Sequence, residues 1–161
     1  MQITSNNATL LYEIIIRLYR LFAMKVLALD LGDVHVGVAI CDDSRTIATP
    51  LTTLQAHLLL QQLNQLIVQY SIGTVVVGLP TTLQGKESAQ TRKVLETYKQ
   101  LQEAFPHTTF VQWDERLTSK QAAIIKPGKN KQDKSKQHAI AAAIVLQAYL
   151  EYLRFQQERH E

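Results

Sequence analysis

Two short apolar runs, residues 26–31 and 36–41, stand four residues apart, and a single charge, Asp30, interrupts the first. Runs of this length around the segment Gly32-Asp33-Val34-His35 predict two strands joined as a hairpin. A hairpin this early fixes one edge of whatever sheet forms. Asp30 is then the anomaly, because a carboxylate at the end of an apolar strand is costly to bury without a partner. A divalent cation is one partner. The amides of Gly32 and Asp33, capped by the carboxylate at the turn, are the other, and the residues alone leave both open.

The remaining elements alternate. Residues 46–54 form a third extended piece, placed toward an edge because Pro50 cannot donate to a ladder. Leu59, Leu63, Leu66 and Ile67 have helical spacing within residues 58–70, and 72–77 is a β-branched run ended by Gly78-Leu79-Pro80. A second amphipathic helix over 88–105 stops at Pro106, and 108–113 reads as a strand. Thr118 with Gln121 starts a third helix. Residues 127–136, rich in lysine and lacking apolar periodicity, predict a mobile loop, and a last helix follows over about 136–155. Three strands, then alternating helices and strands, then two helices, make an α/β layer fold with a mixed sheet of about five strands.

At 161 residues and 46% hydrophobic, the chain suits one domain. We expect it over 24–155, with a polar tail over 156–161. Residues 1–23 are an N-terminal extension, either an upstream stretch before a true start at Met24 or a helical appendage. Leu11, Ile14, Ile15, Leu18 and Phe22 share one helical face there. Glu13, Arg17 and Arg20 break the run, so it does not read as a membrane span. A net charge of +3 suits a polyanionic partner without requiring one. Cys41, without a second cysteine, points to a reducing cytoplasm and is expected to be a small buried hydrophobe.

Three sequence-distant features could converge on one site. Asp30 ends the first strand, Asp114-Glu115-Arg116 follows the last, and His138 begins an alanine-rich helix whose small residues permit close packing. A lone histidine is more often structural than a ligand. Gly78 and Pro80, with Gly85 and Lys86 beyond, lie between a strand and a helix, where backbone amides can hold phosphate. Lys126, Lys129, Lys131, Lys134 and Lys136 form a basic run, either a solvated face or a phosphate contact.

Taken together, Leu29-Asp30-Leu31-Gly32 with Val36-Gly37-Val38-Ala39, then Val76-Val77-Gly78-Leu79-Pro80, then Asp114-Glu115-Arg116-Leu117-Thr118, then residues 142–150, resemble the YqgF family in order and spacing. That family is described both as Holliday junction resolvases and as pre-16S ribosomal RNA nucleases. The resemblance, spanning about 24–150, implies a ribonuclease H-like fold, a bacterial cytoplasmic setting, and phosphodiester hydrolysis assisted by Mg2+ or Mn2+. It also implies a role in maturing the 5′ end of 16S ribosomal RNA on ribosomal precursor particles. Asp30 matches the first-strand metal carboxylate, and Glu115 matches the acid of the Asp-Glu-Arg motif, with Asp114 beside it as a substitute. Gly32, Gly78, Pro80, Arg116, Lys129, Lys131 and Lys134 are the substrate-binding candidates.

His138 stands where the family places an aspartate. Imidazole is a poorer magnesium ligand than a carboxylate and better suits manganese. The activity expected is therefore weak, manganese-dependent or absent. Asp33 and His35 also replace the small hydroxyl and basic residues expected after Gly32, so Asp33 is a candidate compensating charge; Asp133 is a substitute ligand only if the preceding loop folds back. The rival readings are a junction resolvase acting on branched DNA, favouring a homodimer over a monomer, and a silent RNA-binding assembly factor. An actin-like ATPase shares the Asp-x-Gly turn but needs two such domains, more than this length holds.

Overall fold

A computed structural model of the protein describes residues 24–80, 89–114 and 131–159, with side chains of the last stretch from residue 136. The strands are β1 (Lys25–Leu31), β2 (His35–Cys41), β3 (Ala48–Gln55), β4 (Ile72–Leu79) and β5 (Thr109–Asp114). The helices are α1 (Leu59–Tyr70), after a 3-10 turn over Ala56–Leu58, then α2 (Ala89–Ala104) and α3 (Lys131–Glu158).

The strands form one mixed sheet in the order β3-β2-β1-β4-β5. β1 and β2 are antiparallel as the hairpin pattern predicted, with Asp30 opposite Gly37. The turn closes with the Gly32 amide donating to the His35 carbonyl at 3.0 Å. β3 lies at the edge, and its register shifts next to Pro50, where the missing N–H would otherwise break the ladder. β4 and β5 run parallel to β1. The C-terminal ends of β1, β4 and β5 thus lie along the same end of the sheet, where open α/β sheets place their ligands.

Strand alternation gives the sheet two unlike faces. Leu27, Leu29, Val36, Val38, Val75, Val77 and Phe110 face one side, where Leu59 and Leu63 of α1 and Val94 and Leu101 of α2 cover them. Val26, Ala28, Ala39, Cys41, Val76 and Trp113 face the other, where α3 packs with Ala142, Ala143, Val145, Leu146 and Ala148. Cys41 is buried there as expected, accepting the Val26 amide at 3.1 Å, and burial pushes its thiol pKa up.

One expectation needs correction. Residues 131–136 belong to the last helix rather than to a loop, so Lys131, Lys134 and Asp133 stand on helical backbone. Lysine and glutamine are good helix formers, and a turn without an apolar stripe persists as helix when a packed helix continues it. At the other end α3 runs through Glu158, past the predicted boundary at 155. The expected third helix at Thr118 lies outside the described residues.

Candidate active site

β1 is the middle strand of the sheet, and its even-numbered residues face α3. Asp30 continues that alternation one step beyond Ala28, where apolar cover runs out. His138 meets it from above. Its Nδ1 lies 2.9 Å from Asp30 Oδ2, and the two side chains keep 38% and 22% of their exposure. Where the carboxylate is ionised it only accepts, so Nδ1 then carries the proton in this contact and the lone pair of a neutral ring lies on Nε2.

The contact depends on how closely α3 approaches the sheet, and glycine sets that approach. A Cβ at Gly37 would lie 1.9 Å from the His138 carbonyl oxygen and 2.7 Å from the Ala139 nitrogen. Main chain therefore rests directly on main chain at the residue opposite Asp30. A Cβ at Gly32 would meet the His35 carbonyl oxygen at 2.5 Å and His138 Cε1 at 3.2 Å. His35 joins from β2, its ring 6.2 Å from that of His138 between centroids.

The structure thus brings together Asp30, His138 and Gly32, and adds His35, which the sequence marked only as a departure. Gly78 is buried at the end of β4, one step beyond the pairing of Leu29 with Val77 and so level with Asp30. Pro80 follows β4, and its carbonyl accepts the Thr91 hydroxyl at 2.8 Å, which ties the start of α2 to this end of the sheet. Gln90 reaches the Leu31 carbonyl from the same turn.

Asp114 is not brought to the pair. It ends β5, two strands from β1, and alternation places it with Phe110 on the side of α1 and α2. Asp33 is engaged elsewhere: it forms a 2.9 Å ion pair with Lys93 of α2, and both side chains are largely exposed. Glu115, Arg116, Lys126, Lys129, Gly85 and Lys86 lie outside the described residues, as do the side chains of Lys131, Asp133 and Lys134.

Among the described residues no three His, Cys, Asp or Glu side chains gather at metal-binding distance. Asp30 and His138 supply two donors of suitable chemistry, an oxygen for a hard cation and a nitrogen that borderline cations accept. They fit a divalent ion as two members of a set that needs another carboxylate.

The sequence matches, over residues 24–152, the family described as RuvX, Holliday junction resolvase. A protein of Rubrobacter xylanophilus named "Putative pre-16S rRNA nuclease" is 41% identical over 128 residues, covering 79% of this chain and 92% of that one. A protein of the same name from Thermoanaerobacter pseudethanolicus is 36% identical, covering 80% and 96%. The fold resembles Thermus thermophilus RuvC in complex with a Holliday junction substrate, with a TM-score of 0.58 at 13% identity, covering 82% of this chain and 96% of that one. It also resembles the yeast mitochondrial Holliday junction resolvase, with a TM-score of 0.50 at 12% identity, covering 80% and 78%.

Proposed function

We propose a substrate and a site from one premise: this chain belongs to the RuvX family, the YqgF family whose motifs the sequence carries, and is a phosphodiester-cleaving nuclease with a ribonuclease H-like fold. Its substrate is the 5′ region of precursor 16S ribosomal RNA, the role after which its relatives are named. The observation that carries the choice of site is the Asp30–His138 contact at the C-terminal end of β1.

Asp30, His138 and Glu115 would hold a divalent cation. Such an ion supplies charge neutralisation at the scissile phosphate and activation of the attacking water. The protein's own share is orientation. Asp30 accepts the His138 Nδ1 proton, which fixes the ring and presents Nε2 to the site. Gly37 holds α3 at a set height over β1 at residues 138 and 139, and Gly32 leaves the room that the His138 ring occupies. Gly78 adds no side chain at the level of Asp30. Arg116, Lys129, Lys131 and Lys134 are placed in sequence to neutralise neighbouring phosphates. With nitrogen replacing one carboxylate oxygen, manganese is the preferred cation. The setting is the cytoplasm, on ribosomal precursor particles.

The test incubates the full chain with a 5′-extended 16S precursor and, separately, a four-way DNA junction, each with Mg2+ or Mn2+, beside Asp30→Asn. Precursor cleavage that requires Asp30 and is stronger with Mn2+ is expected. Cleavage that survives in Asp30→Asn overturns the site, and cutting of the junction alone replaces the RNA assignment with resolution of branched DNA.

A further inference from the structure

The turn at the open end of β1 and β2 carries a histidine to which the proposed site gives no task. On β2, Val36 and Val38 face α1 and α2, whereas Gly37 lies under α3. Alternation therefore turns His35 toward α3 as well, two residues beyond Gly37 in the direction of the open end. The ring is half-buried and lies 6.2 Å from that of His138 between centroids. Its main chain is occupied, since the carbonyl accepts the Gly32 amide, but among the described residues neither ring nitrogen has a hydrogen-bond partner. Asp33, the acid nearest in sequence, pairs instead with Lys93 of α2, which covers the opposite face of the sheet.

Strand register extends His35 into a row. Gly37 pairs with Thr53 of β3, and His35 pairs with Gln55. Directly opposed residues of antiparallel strands share a face. The α3 face thus presents Asp30 beside Gly37 and Thr53, and beyond them Gly32 beside His35 and Gln55. Gln55 is exposed and ends the row at the edge strand. The other flank of Asp30 is unlike this one: among the described residues it offers Gly78, which has no side chain, and Asp114, which faces away.

An imidazole N–H can donate to a phosphate oxygen whether the ring is neutral or charged, and a glutamine amide can do the same. Such contacts position a nucleic-acid backbone and read no base. We propose that His35, with Gln55 beyond it, holds the phosphodiester backbone on one side of the cut, so that the substrate strand leaves Asp30 across β2 toward the β3 edge. The inference rests on the nuclease site proposed at Asp30, but it holds for RNA and DNA alike because both carry the phosphate.

Equilibrium binding by the full chain tests it, with a fluorescent 5′-extended 16S precursor fragment and a four-way DNA junction as probes, over a salt series and without divalent metal so that neither is cut. For whichever probe the parent holds, His35→Ala should weaken binding per folded molecule by about tenfold, the scale of one hydrogen bond to a charged group, and Gln55→Ala by about threefold. His35→Arg should steepen the fall of log affinity with log salt by about 0.7 to 0.9, as one more phosphate is neutralised. Val68→Arg adds the same charge on α1, behind the sheet, and should leave the slope alone. Parent-like affinity in His35→Ala, or a parent-like slope in His35→Arg, overturns the inference and leaves the nuclease site standing. Equal steepening by Val68→Arg overturns it too, because the slope then reports net charge. A parent that binds neither probe removes the nuclease reading and this contact together.

Discussion

The two faces of the sheet are built from different residues and hold the molecule together in different ways. On the α1 and α2 side, leucine and valine interdigitate at full depth, and the helices stand off by the width of branched side chains. On the α3 side, Ala28, Ala39 and Gly37 take up little space, and the helix comes down until backbone touches backbone at residues 138 and 139. The first face supplies transfer free energy. The second supplies position, and it carries the contact between Asp30 and His138 at which we propose the chemistry is placed.

That division is broken most sharply by Asp30→Asn. Turnover should fall on the order of 10³-fold, the scale of losing a group needed only in the transition state, while the thermal midpoint stays near that of the parent. Leu29→Ala, one residue earlier but on the opposite face, should do the reverse. It should cost about 2 to 5 kcal/mol in denaturant titration and leave turnover per folded molecule intact. If Leu29→Ala impairs turnover of the folded fraction, the faces are coupled and the contrast fails.

Gly37→Ala is the change that should show both effects at once. The added methyl cannot fit beneath the His138 carbonyl, so α3 must lift, with a cost of about 1 to 3 kcal/mol and a loss of activity that a larger residue at 37 deepens. Parallel unfolding and activity measurements check it. Full activity in a destabilised Gly37→Ala protein would show that helix height does not matter to the site.

The smallest effect belongs to neither face. Asp42 accepts the Ile47 amide, the Ser44 hydroxyl and the Thr46 amide in the turn between β2 and β3, and these bonds pull its pKa from 3.8 to about 2. A carboxylate with a depressed folded pKa contributes stability above its unfolded pKa and loses it as pH falls through the folded one. The thermal midpoint difference between the parent and Asp42→Ala should therefore be present above about pH 4 and shrink toward about pH 2. An undiminished difference across that window would assign the effect to the turn's shape rather than to its charge.

Much of this was open to reading from the chain. Two apolar runs around a short polar segment specify a hairpin locally, and Pro50 marks an edge through its missing donor. Alanine spacing in the last helix announced close packing. Its partner, Gly37, went unrecognised because nothing local links residues about a hundred positions apart. The face that Asp114 takes on β5 was not legible, because only the folded sheet puts Phe110 and Trp113 on opposite sides. The start of α3 was missed because residues 131–136 show no apolar periodicity, the signal on which the helix boundary was read. His35 carried no signal beyond being unusual, and only the folded turn brings its ring near His138.

Gly37 has a consequence for how such a site can change over generations. Because the helix is seated through main-chain atoms, the side chain at 138 can be exchanged without moving the helix that carries it. A lineage can then swap imidazole for carboxylate in one substitution that leaves the seating of the helix alone, and under the proposed function that swap would also change the preferred metal. The glycine acts as a socket, and it lets the site's chemistry drift while its architecture stays still.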